Sequence, residues 1–144
     1  MPLNLDTNTK ELGVDHQVAS FVLPLGMTIN MDGTAIMQVV ATLFIAGCGG
    51  YDISAFQLLI IMVLALIASM GTPGAPGAGA VILFTILSGV GFTNESALIA
   101  YSLILAINRP IEMLVTALNC VGDSVASIAI TKSEGKLDTE IFND

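Results

Sequence analysis

Four side chains that carry oxygen atoms lie within otherwise apolar segments, and together they could bind a cation. They are Asn30, Asp32, Asn119 and Asp123. Carboxylate and amide oxygens are hard ligands, which suit alkali or alkaline-earth cations rather than transition metals. Unwound backbone near Gly26 and Thr28 would add carbonyl oxygens. The pattern therefore predicts a cation site built from an early and a late part of the chain.

The carboxylates in the apolar segments need a compensating charge, because an unpaired ion in a low-dielectric medium is strongly disfavoured. Arg109 is the only cation between residues 17 and 131. One arginine cannot pair with Asp32, Glu112 and Asp123 together, so at least one carboxylate is protonated or binds an external cation. We expect Asp32 and Asp123 to be the cation ligands.

The composition of the 144-residue chain is that of an integral membrane protein. Hydrophobic residues make up 54% and charged residues only 11%, and the mean hydropathy is +0.85, whereas soluble domains carry about 25% charged residues. The chain has no basic patch, which argues against nucleic-acid binding. It also has no nucleophile-base constellation, so we expect that it is not an enzyme.

Residues 17–47 form the first long apolar segment, and helix-breaking residues coincide there with polar ones. Pro24, Gly26 and Gly33 surround the polar centre at Asn30–Asp32. Proline removes a backbone donor, and glycine lowers the cost of unwinding. The segment is predicted to form two half-helices joined by an unwound middle; the alternative is a single helix kinked at proline.

Residues 53–90 consist of two apolar arms, each too short for a comfortable span, around a tip rich in small residues. The tip, residues 71–79, holds four glycines and two prolines, which end a helix. Because about 20 residues are needed to cross a bilayer, we predict a re-entrant helical hairpin. The alternative is one short span followed by an ordinary loop.

Residues 97–131 form the last long apolar segment, for which Ser96 is the expected N-cap. Polar side chains recur on one face at helical spacing, at Asn108, Glu112, Thr116, Asn119, Asp123 and Ser127. Such a stripe could be a seam for helix association, but its two carboxylates favour a solute or ion site. The remaining faces would meet lipid or other helices.

The predicted fold is therefore an all-α membrane domain with a broken transmembrane helix, a re-entrant hairpin and a long final helix. Residues 1–16 are a polar N-terminal segment, residues 17–131 form the membrane part, and residues 132–144 are predicted to be a disordered tail. Broken helices with cation ligands at mid-depth are typical of secondary transporters.

Three motifs closely resemble those of the sodium:dicarboxylate (glutamate/aspartate-type) symporter family. Residues 21–34, FVLPLGMTINMDGT, are similar to its seventh-helix motif, and residues 69–79, SMGTPGAPGAG, to the tip of its second hairpin. Residues 119–123, NCVGD, are similar to the Asn-x-x-Gly-Asp motif of its eighth helix. The motifs occur in the family's order, and the resemblance covers about residues 18–132. It implies the transport core of a symporter.

The resemblance also implies three sodium sites, with sodium as the coupling ion. The residues that match the first site are Gly26 through its carbonyl, Asn30, Asn119 and Asp123. Those that match a deeper site are Asn30 and Asp32. Those that match a third site, beneath the hairpin tip, are Thr28, Ser69, Met70 and Thr72.

The resemblance further implies that the hairpin is a gate over a bound amino acid or dicarboxylate. The matching substrate contacts are Thr34, Ala75, Gly79, Thr116 and Asn119. Two positions depart from members that take acidic amino acids: Val115 stands where they have arginine, and Glu112 where they have an aspartate that meets the amino group. A neutral amino acid would fit Val115, whereas a dicarboxylate would fit if Arg109 reaches the site.

The family's first six helices and first hairpin precede the region matched here, so the sequence is expected to be the C-terminal part of a transporter. The resemblance implies a multi-pass protein of the cell membrane, in contact with lipid and homotrimeric in its full-length parent. Two alternatives stay open: a truncated fragment that does not transport and needs a partner chain, and a channel lined by the polar stripe.

Overall fold

A computed structural model describes residues 2–143, and all regular structure in that range is helical. The helices are α1 (Pro2–Lys10), α2 (His16–Ile29), α3 (Asp32–Gly49), α4 (Ala55–Met70), α5 (Ala78–Val90), α6 (Glu95–Ser133) and α7 (Thr139–Asn143). The predicted all-α membrane fold is confirmed.

The first apolar segment is a broken helix, as predicted. Helix α2 ends at Ile29, and α3 begins at Asp32 after a two-residue break at Asn30 and Met31. The ψ angles of those two residues are 76° and 48°, far from the helical value of about −42°. Pro24 lies inside α2 without ending it. The alternative of a single continuous helix kinked at proline is wrong.

The predicted hairpin consists of α4 and α5 joined by a non-helical tip. Helix α4 begins with a capping box in which Ser54 and Gln57 satisfy each other's backbone amides, an arrangement that fixes a helix start. The helices have 16 and 13 residues, or about 24 and 20 Å at 1.5 Å per residue. Each arm is therefore shorter than the roughly 30 Å of a hydrocarbon core.

Helix α6 runs for 39 residues, or about 58 Å. Its N-cap is Asn94, whose side chain accepts a hydrogen bond from the Ala97 amide at 2.9 Å; the expected N-cap at Ser96 is wrong. Asn94 also donates to the carbonyl of Gly49, which ties the start of α6 to the end of α3. Within residues 2–143, two stretches are long and apolar enough to cross a membrane, at His16–Gly49 and Glu95–Ser133.

Two apolar clusters hold the helices together on either side of the helix break. The larger joins α3, α4, α5 and the start of α6 through Ala41, Ile45, Ala46, Ile61, Leu83, Leu87, Phe92, Ala97, Ala100 and Ile104. The smaller joins the α1–α2 region to the end of α6 through Val14, Ala19, Leu23 and the partly buried Leu5, Leu12 and Ile128. The middle of α6 therefore faces the break.

The C-terminal tail differs from the expected disordered segment, because it is held against the turn between α1 and α2. The amide of Asp138 donates to the carbonyl of Gly13 at 2.9 Å. The Asp138 carboxylate in turn accepts from the amides of Glu140 and Ile141 at the start of α7. Gly13 has a φ of +64° and would have no room for a side chain beside Asp138. These contacts lie between residues far apart in sequence, which composition does not reveal.

Candidate solute and cation site

The start of α3 is capped by a side chain from α6. Met31, at the N-cap position, makes no capping bond through its side chain. Instead the amide of Gly33 donates to Oδ1 of Asn119 at 2.8 Å, and Nδ2 of Asn119 lies 3.2 Å from Oγ1 of Thr34. Because the first amides of a helix lack partners within the helix, Asn119 both satisfies one of them and fixes α3 against α6.

The second contact at the break joins Asn30 to Asp123. Nδ2 of Asn30 donates to Oδ1 of Asp123 at 2.9 Å. Asp123 is only 2% exposed. A hydrogen bond to a charged group is stronger than a neutral one. The buried carboxylate thus has one amide donor and no ion pair among the described residues, which leaves its charge available to a cation.

Three glycines allow the break to approach α6 this closely. A Cβ atom on Gly26 would overlap the Asp123 carboxylate, and one on Gly33 would lie 2.7 Å from the carbonyl oxygen of Val115. A Cβ atom on Gly122 would lie 2.7 Å from Nδ2 of Asn30. The contacts at Gly33 and Gly122 were not predicted; the one signal for them in the sequence is that each glycine lies next to an aspartate of a polar motif, Asp32 or Asp123.

A cavity of about 560 Å³ lies between the break, the hairpin tip and α6. All seven predicted substrate residues line it: Thr34, Ala75, Gly79, Glu112, Val115, Thr116 and Asn119. Thr72 and Asp123 from the predicted sodium sites line it as well, and so does Arg109. The structure therefore brings the predicted substrate residues together, while their roles in binding stay a prediction.

Several lining residues were not expected from the sequence. They are Met27, Met31, Met37, Pro73, Gly74, Pro76, Met113 and Cys120. Methionine is flexible and polarizable, and it adapts to ligands of irregular shape. A methionine in an apolar helix gives no signal of this kind, because the same residue also serves as ordinary core or lipid-facing surface.

The hairpin tip closes one side of the cavity and is held there by Glu112. The amide of Gly77 donates to Oε1 of Glu112, and Nη1 of Arg109 lies 3.4 Å from Oε2 of the same carboxylate. Among the described residues, one other side chain outside the hairpin forms a hydrogen bond with the tip, residues 71–79: Nε2 of Gln38 in α3 donates to the carbonyl of Gly79 over a long distance of 3.5 Å. Arg109 is thus engaged with Glu112.

The predicted sodium ligands are brought together to different degrees. For the first site, Asn30, Asn119 and Asp123 meet at the break, and the Gly26 carbonyl accepts from the Asn30 amide at 2.8 Å. Asp32 was expected to be a buried carboxylate, but it is exposed in the first turn of α3 and its carboxylate accepts no hydrogen bond from a described residue.

Within the third predicted site the Thr72 amide donates to the Ser69 carbonyl at 3.0 Å, but no side chain of the four residues forms a hydrogen bond with another member of the set. The hydroxyls of Ser69 and Thr72 donate to helix carbonyls of Leu66 and Ala68, both at 2.9 Å. Thr28 is exposed and donates to the carbonyl of Leu25. The side chain of Met70 is exposed. Met70 would therefore bind sodium through its backbone carbonyl, the kind of ligand that the family resemblance implies at this site.

The described residues thus form a broken apolar helix, a hairpin of two short helices and, where they meet, a largely apolar cavity that holds a few polar groups. The chain belongs to the sodium:dicarboxylate symporter family, because the sequence model of that family matches residues 1–133. This confirms the family resemblance drawn from the three motifs, and the family is one of transporters, not of enzymes.

Named relatives agree with the family. The chain is 38% identical over 140 residues to the human excitatory amino acid transporter 2, a match that covers 96% of the chain and 24% of the relative. It is 37% identical over 139 residues to an excitatory amino acid transporter of Caenorhabditis elegans, covering 96% and 27%. The match to an Onchocerca volvulus excitatory amino acid transporter has the same extent. The chain spans about a quarter of the length of these relatives.

Proposed function

We propose that the chain forms the solute- and sodium-binding part of a sodium-coupled symporter for an amino acid or a dicarboxylate. The observation that carries this proposal is the cavity at the junction of the break, the hairpin tip and α6, which all seven expected substrate residues line. Residues 17–131 would be the portion of the transport core that this chain supplies. The hairpin would admit and enclose the solute.

Sodium binding is supported best at the break. Asn30, Asn119 and Asp123 offer amide and carboxylate oxygens there, and the donor set fits an alkali cation. The sites assigned to Asp32 and to Thr28 with the hairpin residues Ser69, Met70 and Thr72 rest on the family resemblance. Sodium is a co-transported ion in this proposal, so its binding and its release both belong to the cycle.

The lining of the cavity favours an amino acid over a dicarboxylate. Val115 presents an apolar side chain, and the Glu112 carboxylate can accept hydrogen bonds from a substrate ammonium group. The one cation in the lining, Arg109, already pairs with Glu112. Its guanidinium would have to leave that partner to neutralise a second substrate carboxylate.

Sodium-dependent stabilisation of the purified chain tests the cation site. We expect NaCl to raise the Tm in detergent relative to choline chloride, because a ligand that binds only the folded state stabilises it. Asp123→Ala removes the buried carboxylate and should abolish the sodium-dependent shift. Asp52→Ala, at an exposed carboxylate outside the cavity, is the matched control and should keep it.

Uptake by the protein that contains this chain tests the coupling and the solute. Radiolabelled L-serine, L-glutamate and succinate would be compared in proteoliposomes with and without an inward sodium gradient. Accumulation of L-serine only with the gradient is the expected result. Uptake that ignores sodium would contradict the symport proposal, and preferential uptake of succinate would reassign the solute class.

A second candidate function is a membrane component that acts only together with another chain. It is favoured by the exposure of α6, whose residues Met113 and Leu114 beside the cavity are 73% and 74% exposed. Monodisperse protein that binds sodium and solute unaided would count against a need for a partner chain.

The transporter proposal includes a homotrimer, lipid contacts and a multi-pass arrangement in the cell membrane.

A further inference from the structure

The hairpin tip has few contacts apart from one with Glu112. Apart from the long hydrogen bond from Gln38 of α3 to the Gly79 carbonyl, its other hydrogen bonds are internal or to its own arms, such as the Thr72 amide to the Ser69 carbonyl. A Cβ atom on Gly74 or Gly77 would meet nothing within 4 Å. Neither packing nor backbone pairing therefore fixes the tip to α6.

The hydrogen bond between Gly77 and Glu112 is strengthened by its position at the start of α5. The Gly77 amide lies at the N-cap of α5, a helix of 13 residues, where unpaired amides and the helix dipole favour a negative charge. The carboxylate of Glu112 supplies that charge from α6. Its second oxygen faces Arg109, which limits the rotation of the side chain and keeps the first oxygen directed at Gly77.

We propose that Glu112 is a latch that holds the hairpin tip closed over the cavity, and that Arg109 positions the latch. The proposal rests on the proposed function only for the identity of the cavity as the solute site. Closing the tip requires no bound solute or sodium, because both partners of the hydrogen bond belong to the chain. Opening the tip breaks one charge-assisted hydrogen bond and leaves the internal bonds of the tip intact.

A distance measurement between spin labels tests the latch without solute or sodium. Labels would be attached at Gly74→Cys on the tip and Leu103→Cys on α6, after replacing the exposed Cys48 and Cys120 by serine. Leu103 is 59% exposed and does not line the cavity. Glu112→Ala should raise the ratio of open to closed tip about tenfold, as loss of a hydrogen bond to a charged group predicts.

Three further variants separate the latch from a general disturbance of α6. Glu112→Gln keeps an acceptor without the charge and should open the tip less than Glu112→Ala. Arg109→Met should also open it less, because the carboxylate remains. Glu95→Ala removes a glutamate from the first turn of the same helix, far from the tip, and should leave the distances unchanged.

A second label pair, at Val40→Cys and Leu103→Cys, reports the packing of α3 against α6, so a misfolded variant is recognised by a change in this distance as well. If the tip distances of Glu112→Ala equal those of the parent while the second pair is unchanged, the latch does not exist. Equal opening by Glu95→Ala would overturn it too. Failure of sodium-coupled uptake would leave these distances unaffected, so the two proposals fail separately.

Discussion

Glycines serve opposite purposes in the two regions that enclose the cavity. At the helix break, Gly26, Gly33 and Gly122 lie where a methyl group would collide with Asp123, Val115 or Asn30. At the hairpin tip, Gly74 and Gly77 face open space. The break is therefore a region of close contact in which glycine removes bulk, and the tip is a region of few contacts in which glycine shapes the backbone.

This contrast indicates which region is fixed and which one moves. Asn119 and Asp123 of α6 accept hydrogen bonds from the break, and Asn119 also donates to Thr34, whereas a single carboxylate of α6 binds the tip. Regions with few buried contacts open at lower free energy than the core. A rigid helix break beside a mobile tip is what the proposed binding site, which must alternately open and close, requires.

The largest expected effect comes from adding a methyl group at the break. Gly26→Ala places a Cβ atom against the Asp123 carboxylate and should lower the free energy of unfolding by about 3 kcal/mol, the upper end of overpacking costs. Thermal unfolding in detergent measures it. Gly47→Ala, in α3 with nothing within 4 Å, is the control and should be neutral or slightly stabilising. Equal effects would remove the distinction between the two kinds of glycine.

The next effect concerns the bond between Asn30 and Asp123. A double-mutant cycle with Asn30→Ala and Asp123→Ala should give a coupling free energy of about 2 kcal/mol, as expected for a hydrogen bond to a charged group. The reference pair is Asn30 with Asp52, which share no contact and should be additive. A cycle without coupling would show that the break is not held by this bond.

The smallest effect separates two glycines within the tip. Gly77 has a φ of +85°, so Gly77→Ala should lower the free energy of unfolding by about 1 kcal/mol, the cost of a side chain in the left-handed region. Gly74→Ala has neither a positive φ nor a close neighbour and should change it by no more than about 0.5 kcal/mol. A larger decrease in the free energy of unfolding for Gly74→Ala would show that Gly74 packs against neighbouring residues, contrary to the open space beside it.

Much of the fold followed from local patterns. The coincidence of glycines with Asn30 and Asp32 located the helix break, and the small-residue tip located the turn of the hairpin. The polar stripe on α6 was also recognisable, since Asn108, Asp123 and Ser127 are buried. The exposure of Asp32 was not foreseen, because the first turn of a helix has both buried and exposed sides, and the sequence does not say which one an aspartate occupies.

The sequence by itself determined the membrane composition, the four apolar segments, the break and the residues that could carry cation chemistry, because each depends on neighbours within a few turns. Only the tertiary structure decided which polar groups meet. The cap of α3 by Asn119, the bond from Asn30 to Asp123 and the bond from Gly77 to Glu112 join residues 86, 93 and 35 positions apart. Such pairs depend on how the helices rotate and approach, which helical periodicity leaves free.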